Sequence, residues 1–226
     1  MAGQPGDPPA YDAIADWYAD YVTGAAAAFT SRAGEALHRV LGRGHGVCWD
    51  VACGTGIYAD RIRQLGWIPI GTDISIAQLR HAATQMPVAV ADATQLVVQP
   101  GSVAAVASVL CHTDVADYAA VCRAAATALV AGGRFAHVGV HPCFCGAFVD
   151  RSNSEQLITT PGYWRRDRRF DAWSPNGVQA RVGATHLPLS DLIAAVTGAG
   201  LVLDMAIEAG EPTPDVLAIR AHKPGR

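Results

Sequence analysis

Apolar residues gather in short runs at 47–52, 67–72, 88–91, 103–110 and 134–140, and stretches with helical spacing lie between them. Runs this short and continuous, such as Val103-Ala104-Ala105-Val106-Ala107, predict strands buried on both faces. The spacing predicts helices over 57–65, 76–84 and 115–130, the last rich in Ala and closed by Gly132-Gly133. Ahead of the first strand, Tyr11, Ile14, Trp17, Tyr18 and Tyr21 recur at three- and four-residue steps. That pattern predicts a helix over 11–40 with aromatics on one face, broken by the glycines of 42–46. A helix over 189–197 leads into strands over 201–206 and 216–221, joined by Glu211-Pro212-Thr213-Pro214 as an antiparallel pair. Strands covered on both faces and alternating with helices predict an α/β fold, doubly wound about a mostly parallel sheet.

Residues 143–186 break the rhythm, with weak periodicity, Trp164, Trp173 and many Arg. They read as an insertion over the ligand-binding end of the sheet. The whole of 1–226 reads as one domain, with 1–46 as an N-terminal helical cap. No internal repeat is visible.

A hydrophobic content of 50% is ample for a large core, and a net charge of −3 gives no general attraction to phosphate backbones. Residues 1–9 are polar and rich in Pro and Gly, unlike a secretory signal, and no apolar run is long enough to cross a bilayer. Cys48, Cys53, Cys111, Cys122, Cys143 and Cys145 lie in strand-like and helix-like stretches, where reduced, buried thiols are expected. The location expected is cytoplasmic.

The strongest chemical signal is Asp50-Val51-Ala52-Cys53-Gly54-Thr55-Gly56, which leaves a strand and opens a helix. Gly54 permits a sharp turn and Gly56 lets a ligand approach backbone that no Cβ shields. A glycine pattern of this kind is weak alone, but Asp73 follows 19 residues after Gly54 at the end of the second strand. A carboxylate there is placed to accept from both ribose hydroxyls of an adenosine. Asp92, in Ala91-Asp92-Ala93, ends the third strand, within reach of an adenine amino group. Asp50 chooses between ligands. A carboxylate beside the glycine turn is a poor neighbour for a pyrophosphate and a good one for the ammonium of S-adenosylmethionine.

Asp-Val-Ala-Cys-Gly-Thr-Gly resembles the first motif of the class I methyltransferases. Gly71-Thr72-Asp73-Ile74-Ser75 resembles the second and Ala91-Asp92-Ala93 the third. Ala131-Gly132-Gly133-Arg134 looks like the turn before the fifth strand, and Tyr11 to Tyr18 is similar to the helix that closes over the cofactor. The likeness runs from Tyr11 to Lys223, except over 143–186. It implies a Rossmann-like, seven-stranded sheet with the antiparallel pair at its end, and S-adenosylmethionine as cofactor. It further implies that Asp50, Ala52, Gly54 and Gly56 hold the methionine part and that Asp73 with Ile74 holds the ribose. Asp92 and Ala93 would hold the adenine, and Ser108 to His112 would flank the methyl group.

His112 and His141, at the ends of the fourth and fifth strands, are candidate general bases, with His186 behind them. Each also reads as a hydrogen-bonded structural histidine. Tyr11 and Tyr18 are candidates to face the sulfonium, or simply to pack their helix. Cys143-x-Cys145 near His141 lacks the further ligands of a closed metal site, so no metal is expected. The run Arg165-Arg166-Asp167-Arg168-Arg169 reads as a solvated loop with its own acids. No Asp/Asn-Pro-Pro-aromatic motif follows the fourth strand, where Ser108-Val109-Leu110-Cys111 stands instead, so nucleic acid is not expected as substrate. The function expected is methyl transfer to a small organic molecule, at a hydroxyl, by a monomer or homodimer that binds neither nucleic acid nor membrane. A nicotinamide-dependent oxidoreductase and a non-catalytic S-adenosylmethionine-binding domain stand as alternatives.

Overall fold

The computed structural model describes residues 8–153, 155–171 and 177–225. Seven strands form one sheet: β1 (Val47–Val51), β2 (Ile68–Asp73), β3 (Val88–Val90), β4 (Val103–Val109), β5 (Leu129–Val140), β10 (Val202–Ala209) and β11 (Val216–His222). Their order is β10-β11-β5-β4-β1-β2-β3; β11 runs antiparallel to both of its neighbours, and the other pairs are parallel. This is the doubly wound sheet with a terminal antiparallel pair that the apolar runs predict. The helices are α1 (Ala15–Thr23), α2 (Ala27–Leu41), α3 (Ala59–Gln64), α4 (Ile76–Ala82), α5 (Tyr118–Ala128), α6 (Val178–Val182) and α7 (Leu189–Gly198). Within 143–186 lie two hairpins, β6 (Val149–Asn153) with β7 (Gln156–Thr159), and β8 (Arg168–Arg169) with β9 (Ala184–Thr185). Among the described residues, no helix is long and apolar enough to cross a membrane.

Period-two alternation divides the core. On one face, Ala105 and Ala107 of β4, Ala136 of β5 and Ala218 of β11 make a floor of small side chains, onto which α2 lays Leu37, Val40 and Leu41. All three are fully buried, about 1.5–3 kcal/mol each for full burial. The last carbonyls of α2 are met from the sheet: Arg220 Nε donates to Val40 O at 2.5 Å, and Arg134 donates to Leu41 O. The other face carries Trp49, Val106, Phe135 and Ile219 against α5 and α7. Trp49 is fully buried, and its indole N–H donates to Thr72 Oγ1 at 2.9 Å. Thr72→Val leaves that donor unpaired in the core. It is expected to lower unfolding stability by about 1–3 kcal/mol in a urea titration; an unchanged midpoint would mean the indole finds another partner.

Two predicted elements differ. The helix over 11–40 is a 3-10 turn at Asp12–Ile14 followed by α1 and α2, with the break at Gly24. The Thr30 hydroxyl donates to Val22 O at 2.7 Å across that break and fixes the corner. The helix over 115–130 starts only at Tyr118, where Asp117 accepts from the Ala120 N–H at 2.9 Å as an N-cap, and it ends at Ala128 rather than at the glycine pair. Leu129 is already extended and fully buried in β5, and Gly132 donates to Lys223 O at 2.8 Å. The glycines serve a bulge near the start of β5, not a helix stop.

Candidate active site

The carboxyl ends of β1, β2 and β4 meet at one edge of the sheet. After β1 the backbone turns through positive φ at Ala52 (55°), Gly54 (54°) and Gly56 (76°). A Cβ on Gly54 would stand 2.8 Å from Gln78 Oε1, and one on Gly56 would stand 3.0 Å from Ala82 Cα and Cβ. The turn is therefore open to glycine on steric as well as conformational grounds. Ala52 has no such licence, and neither has Leu110, at φ 57° just past β4. Left-handed residues with a Cβ cost about 1–3 kcal/mol each and gather at functional sites; here both stand on the same edge.

Asp73 is anchored by its neighbours: its carboxylate accepts from Gly54 N–H at 2.9 Å and from Ser75 N–H at 2.8 Å. Burial raises its pKa, and those N–H groups oppose the rise. Asp50 is 2% exposed and has no hydrogen bond or ion pair among the described residues. Burial, with Asp73 beside it, pushes its pKa up to about 7. Two adjacent carboxylates, one of them unpaired, repel a pyrophosphate and suit a ligand with one cation and a diol.

The remaining predicted cofactor residues are placed as follows. Ala52 is half-buried on the turn, and Ile74 is 55% exposed directly after Asp73. Asp92 is exposed and accepts from the N–H and the hydroxyl of Thr94, both at 2.8 Å, and Ala93 is buried under α5. Tyr11 and Tyr18 meet edge to face at 5.3 Å, and burial raises both phenols. The Ser108 side chain is fully buried on the α5 face, where its hydroxyl is 2.9 Å from Tyr118 Oη.

The model of the family described as "Methyltransferase domain" matches residues 49–133, which hold the glycine turn, Asp73, Asp92 and β4. Over those residues the chain carries a methyltransferase domain, which favours S-adenosylmethionine over a nicotinamide as the cofactor. Similar solved structures share the fold. An S-adenosylmethionine-dependent methyltransferase from Mesorhizobium loti is 21% identical with a TM-score of 0.64, over 78% of this chain and 90% of that one. A Thermotoga maritima protein described as a possible histamine N-methyltransferase is 16% identical with a TM-score of 0.66, over 95% and 98%. Geranyl diphosphate C-methyltransferase from Streptomyces coelicolor is 14% identical with a TM-score of 0.63, over 86% and 77%. No curated protein matches the sequence.

Beside this edge the protein has a cavity of about 340 Å³. Its walls come from α1 and α2 (Tyr18, Tyr21, Phe29), from the ends of β4 and β5 (Leu110, His112, Val140) and from residues 145–147 and 177–186. His112 is 2% exposed and makes no hydrogen bond; its Nδ1 is sealed without a partner, which leaves Nε2 as the nitrogen open to the cavity. Burial and the nearby His186 push its pKa down to about 3, so the ring is neutral at physiological pH. Behind it, His137 Nδ1 is 2.7 Å from Tyr118 Oη, and that phenol leads on to Ser108. The His112 and His137 rings stand 5.1 Å apart. Gly139 makes the room: a Cβ there would lie 2.4 Å from His112 Nδ1 and 3.0 Å from His137 Nε2. Gly139→Ala is expected to fold, with a loss of about 1–3 kcal/mol, to bind S-adenosylhomocysteine as before, and to turn over at least about tenfold more slowly. Undiminished turnover would show that the ring's position is not set by this glycine.

His141, the other candidate base, is placed differently. Its Nε2 is 2.7 Å from Glu208 Oε1 and its Nδ1 accepts from Cys143 N–H at 3.1 Å, so no lone pair is left for a substrate, and it is not on the cavity wall. Cys143 and Cys145 have separate partners, Tyr163 Oη at 3.9 Å and Asp215 O at 3.6 Å. The arginine run is paired, Arg165 with Asp167, Arg166 with Asp191 and Arg169 with Asp171. The sequence reading missed Asp114, which lines the cavity near Tyr11 and whose pKa burial pushes up to about 7. It also missed Gly139 and the Tyr118–His137 pair. Each depends on contacts between strands and helices that no local pattern marks.

Proposed function

We propose that this methyltransferase transfers the S-adenosylmethionine methyl group to a hydroxyl of a small organic molecule, with His112 as general base. A buried, neutral imidazole without a protein partner, opening into an apolar cavity beside the cofactor edge, supports this reading most directly. Bound S-adenosylmethionine supplies an electrophilic methyl group, so the chain's main task is to align the acceptor, an effect of up to roughly 7–11 kcal/mol. His112 Nε2 takes the hydroxyl proton. Asp50 pairs with the methionine ammonium, and Ala52, Gly54 and Gly56 present backbone to the methionine part. Asp73 accepts from the ribose hydroxyls with Ile74 beside it, and Asp92 with Ala93 meets the amino edge of the adenine. Tyr11 and Tyr18 face the sulfonium, where cation–π attraction contributes about 0.5–2 kcal/mol.

The chain acts as a single domain with 143–186 closing the acceptor pocket, as a monomer or homodimer in the cytoplasm, in small-molecule metabolism. The net charge of −3 and the paired arginines favour a metabolite over nucleic acid. Methyl-labelled S-adenosylmethionine offered with hydroxyl, amine and carbon acceptors tests the reading. Label recovered as an ether supports it, and label on nitrogen or carbon redirects it.

A further inference from the structure

The cavity holds a second imidazole whose place is set by the insertion. Thr185 N–H, in β9, donates to Thr113 O at 2.8 Å, so the residue after Thr185 is fixed beside the residue before Thr113. Those residues are His186 and His112, and both line the cavity. The His186 ring stands edge-on to Phe148 at 4.9 Å and to Tyr163 at 5.1 Å, which holds it in one orientation. Neither ring makes a hydrogen bond to any described residue; His112 Nδ1 and His186 Nε2 are sealed, which leaves His112 Nε2 and His186 Nδ1 as the nitrogens open to a ligand. Two such nitrogens on one wall offer a pair of hydrogen-bonding contacts.

The charges and shape around them narrow what fits. Among the described residues the wall carries two charged side chains, Asp114 and Arg169. Arg169 is tied to Asp171 and lies 3.8 Å from Asp167, so its charge is already met, while Asp114 disfavours an anion. Both imidazoles are held neutral by burial. Facing them, Tyr18, Tyr21 and Phe29 offer flat apolar surface.

We propose that the acceptor is an uncharged aromatic compound with two neighbouring hydrogen-bonding groups, a vicinal diphenol or close analogue, one group meeting His112 and the other His186. This rests on the acceptor reading given above. His112 faces the hydroxyl that is methylated, and His186 selects the compound by holding its neighbour.

Calorimetry on the protein saturated with S-adenosylhomocysteine tests this with 2,3-dihydroxynaphthalene, 2-naphthol and 3-hydroxy-2-naphthoate. The diol is expected to bind roughly five- to tenfold more tightly than 2-naphthol, and the anionic naphthoate more weakly than both. His186→Phe is expected to reduce the diol to the affinity of 2-naphthol, and His186→Gln to keep part of the advantage, which separates a lost contact from a disturbed fold. Equal affinity for diol and naphthol, preference for the naphthoate, or an unchanged ratio in His186→Phe overturns the proposal. S-adenosylhomocysteine binding without any heat from the diol overturns it too, and leaves methyl transfer standing. Failure of S-adenosylhomocysteine itself to bind overturns the reading on which it rests.

Discussion

Asp50→Asn is expected to weaken S-adenosylhomocysteine binding by about thirtyfold or more. Asp50 is nearly fully buried on β1 with no described hydrogen-bond partner, and the methionine ammonium is the cation that its position suits. Its pKa, near 7 in the free protein, adds a signature that a structural carboxylate would lack. Between about pH 4 and 7 the folded chain keeps the Asp50 proton while the unfolded chain has lost it. The folded state thus binds more protons, and Asp50 costs stability increasingly as pH rises through that window. Ligand affinity runs the other way. Below about pH 7 the carboxyl is protonated and cannot pair with an ammonium, so affinity is expected to fall by up to about tenfold per pH unit. Calorimetry at pH 6, 7 and 8 reads this directly. A flat wild-type profile would count against the pairing, and Asp50→Asn should be flat whatever the wild type does.

The second large effect is on turnover. His112→Ala is expected to lower kcat by about 10²–10⁴-fold while S-adenosylhomocysteine affinity stays within about twofold. A ring whose pKa is near 3 is in its basic form at every pH where the protein is assayed. The acid limb of the rate profile therefore belongs to other groups, and Asp50 and Asp114, both near 7, are the groups at the site that titrate there. The residual activity of His112→Gln should keep that limb. A limb that vanished with the histidine would mean that His112 titrates near neutrality once acceptor is bound, and kcat unchanged in His112→Ala would remove it from the chemistry.

The glycine turn and the strand-end carboxylates were legible because their requirements are local. A turn that needs positive φ selects Gly54 and Gly56, and strand ends place Asp50, Asp73 and Asp92 along one edge whatever the rest of the chain does. The acceptor side was only half legible. His112 and His141 look alike in sequence, each a histidine just past a buried strand, yet one opens into the cavity and the other is closed off by Glu208 from β10. The direction of the Ser108 side chain was hidden for a similar reason. Alternation along β4 puts it on the face of Val106, against α5, and Tyr118 takes its hydroxyl.

What the sequence by itself determined is the succession of strands and helices, the parallel sheet with its antiparallel end, and the glycine turn with carboxylates at the strand ends beside it. Each follows from hydrophobic period or from backbone geometry within a few residues. The tertiary structure alone decided which histidine meets the cavity, that Gly139 and Leu110 shape its seat, and that Asp114 and His186 join it. These depend on contacts between residues far apart in the chain, such as Thr185 with Thr113 and His141 with Glu208. Burial, which sets the charge state of every one of these groups, exists only once the layers have packed.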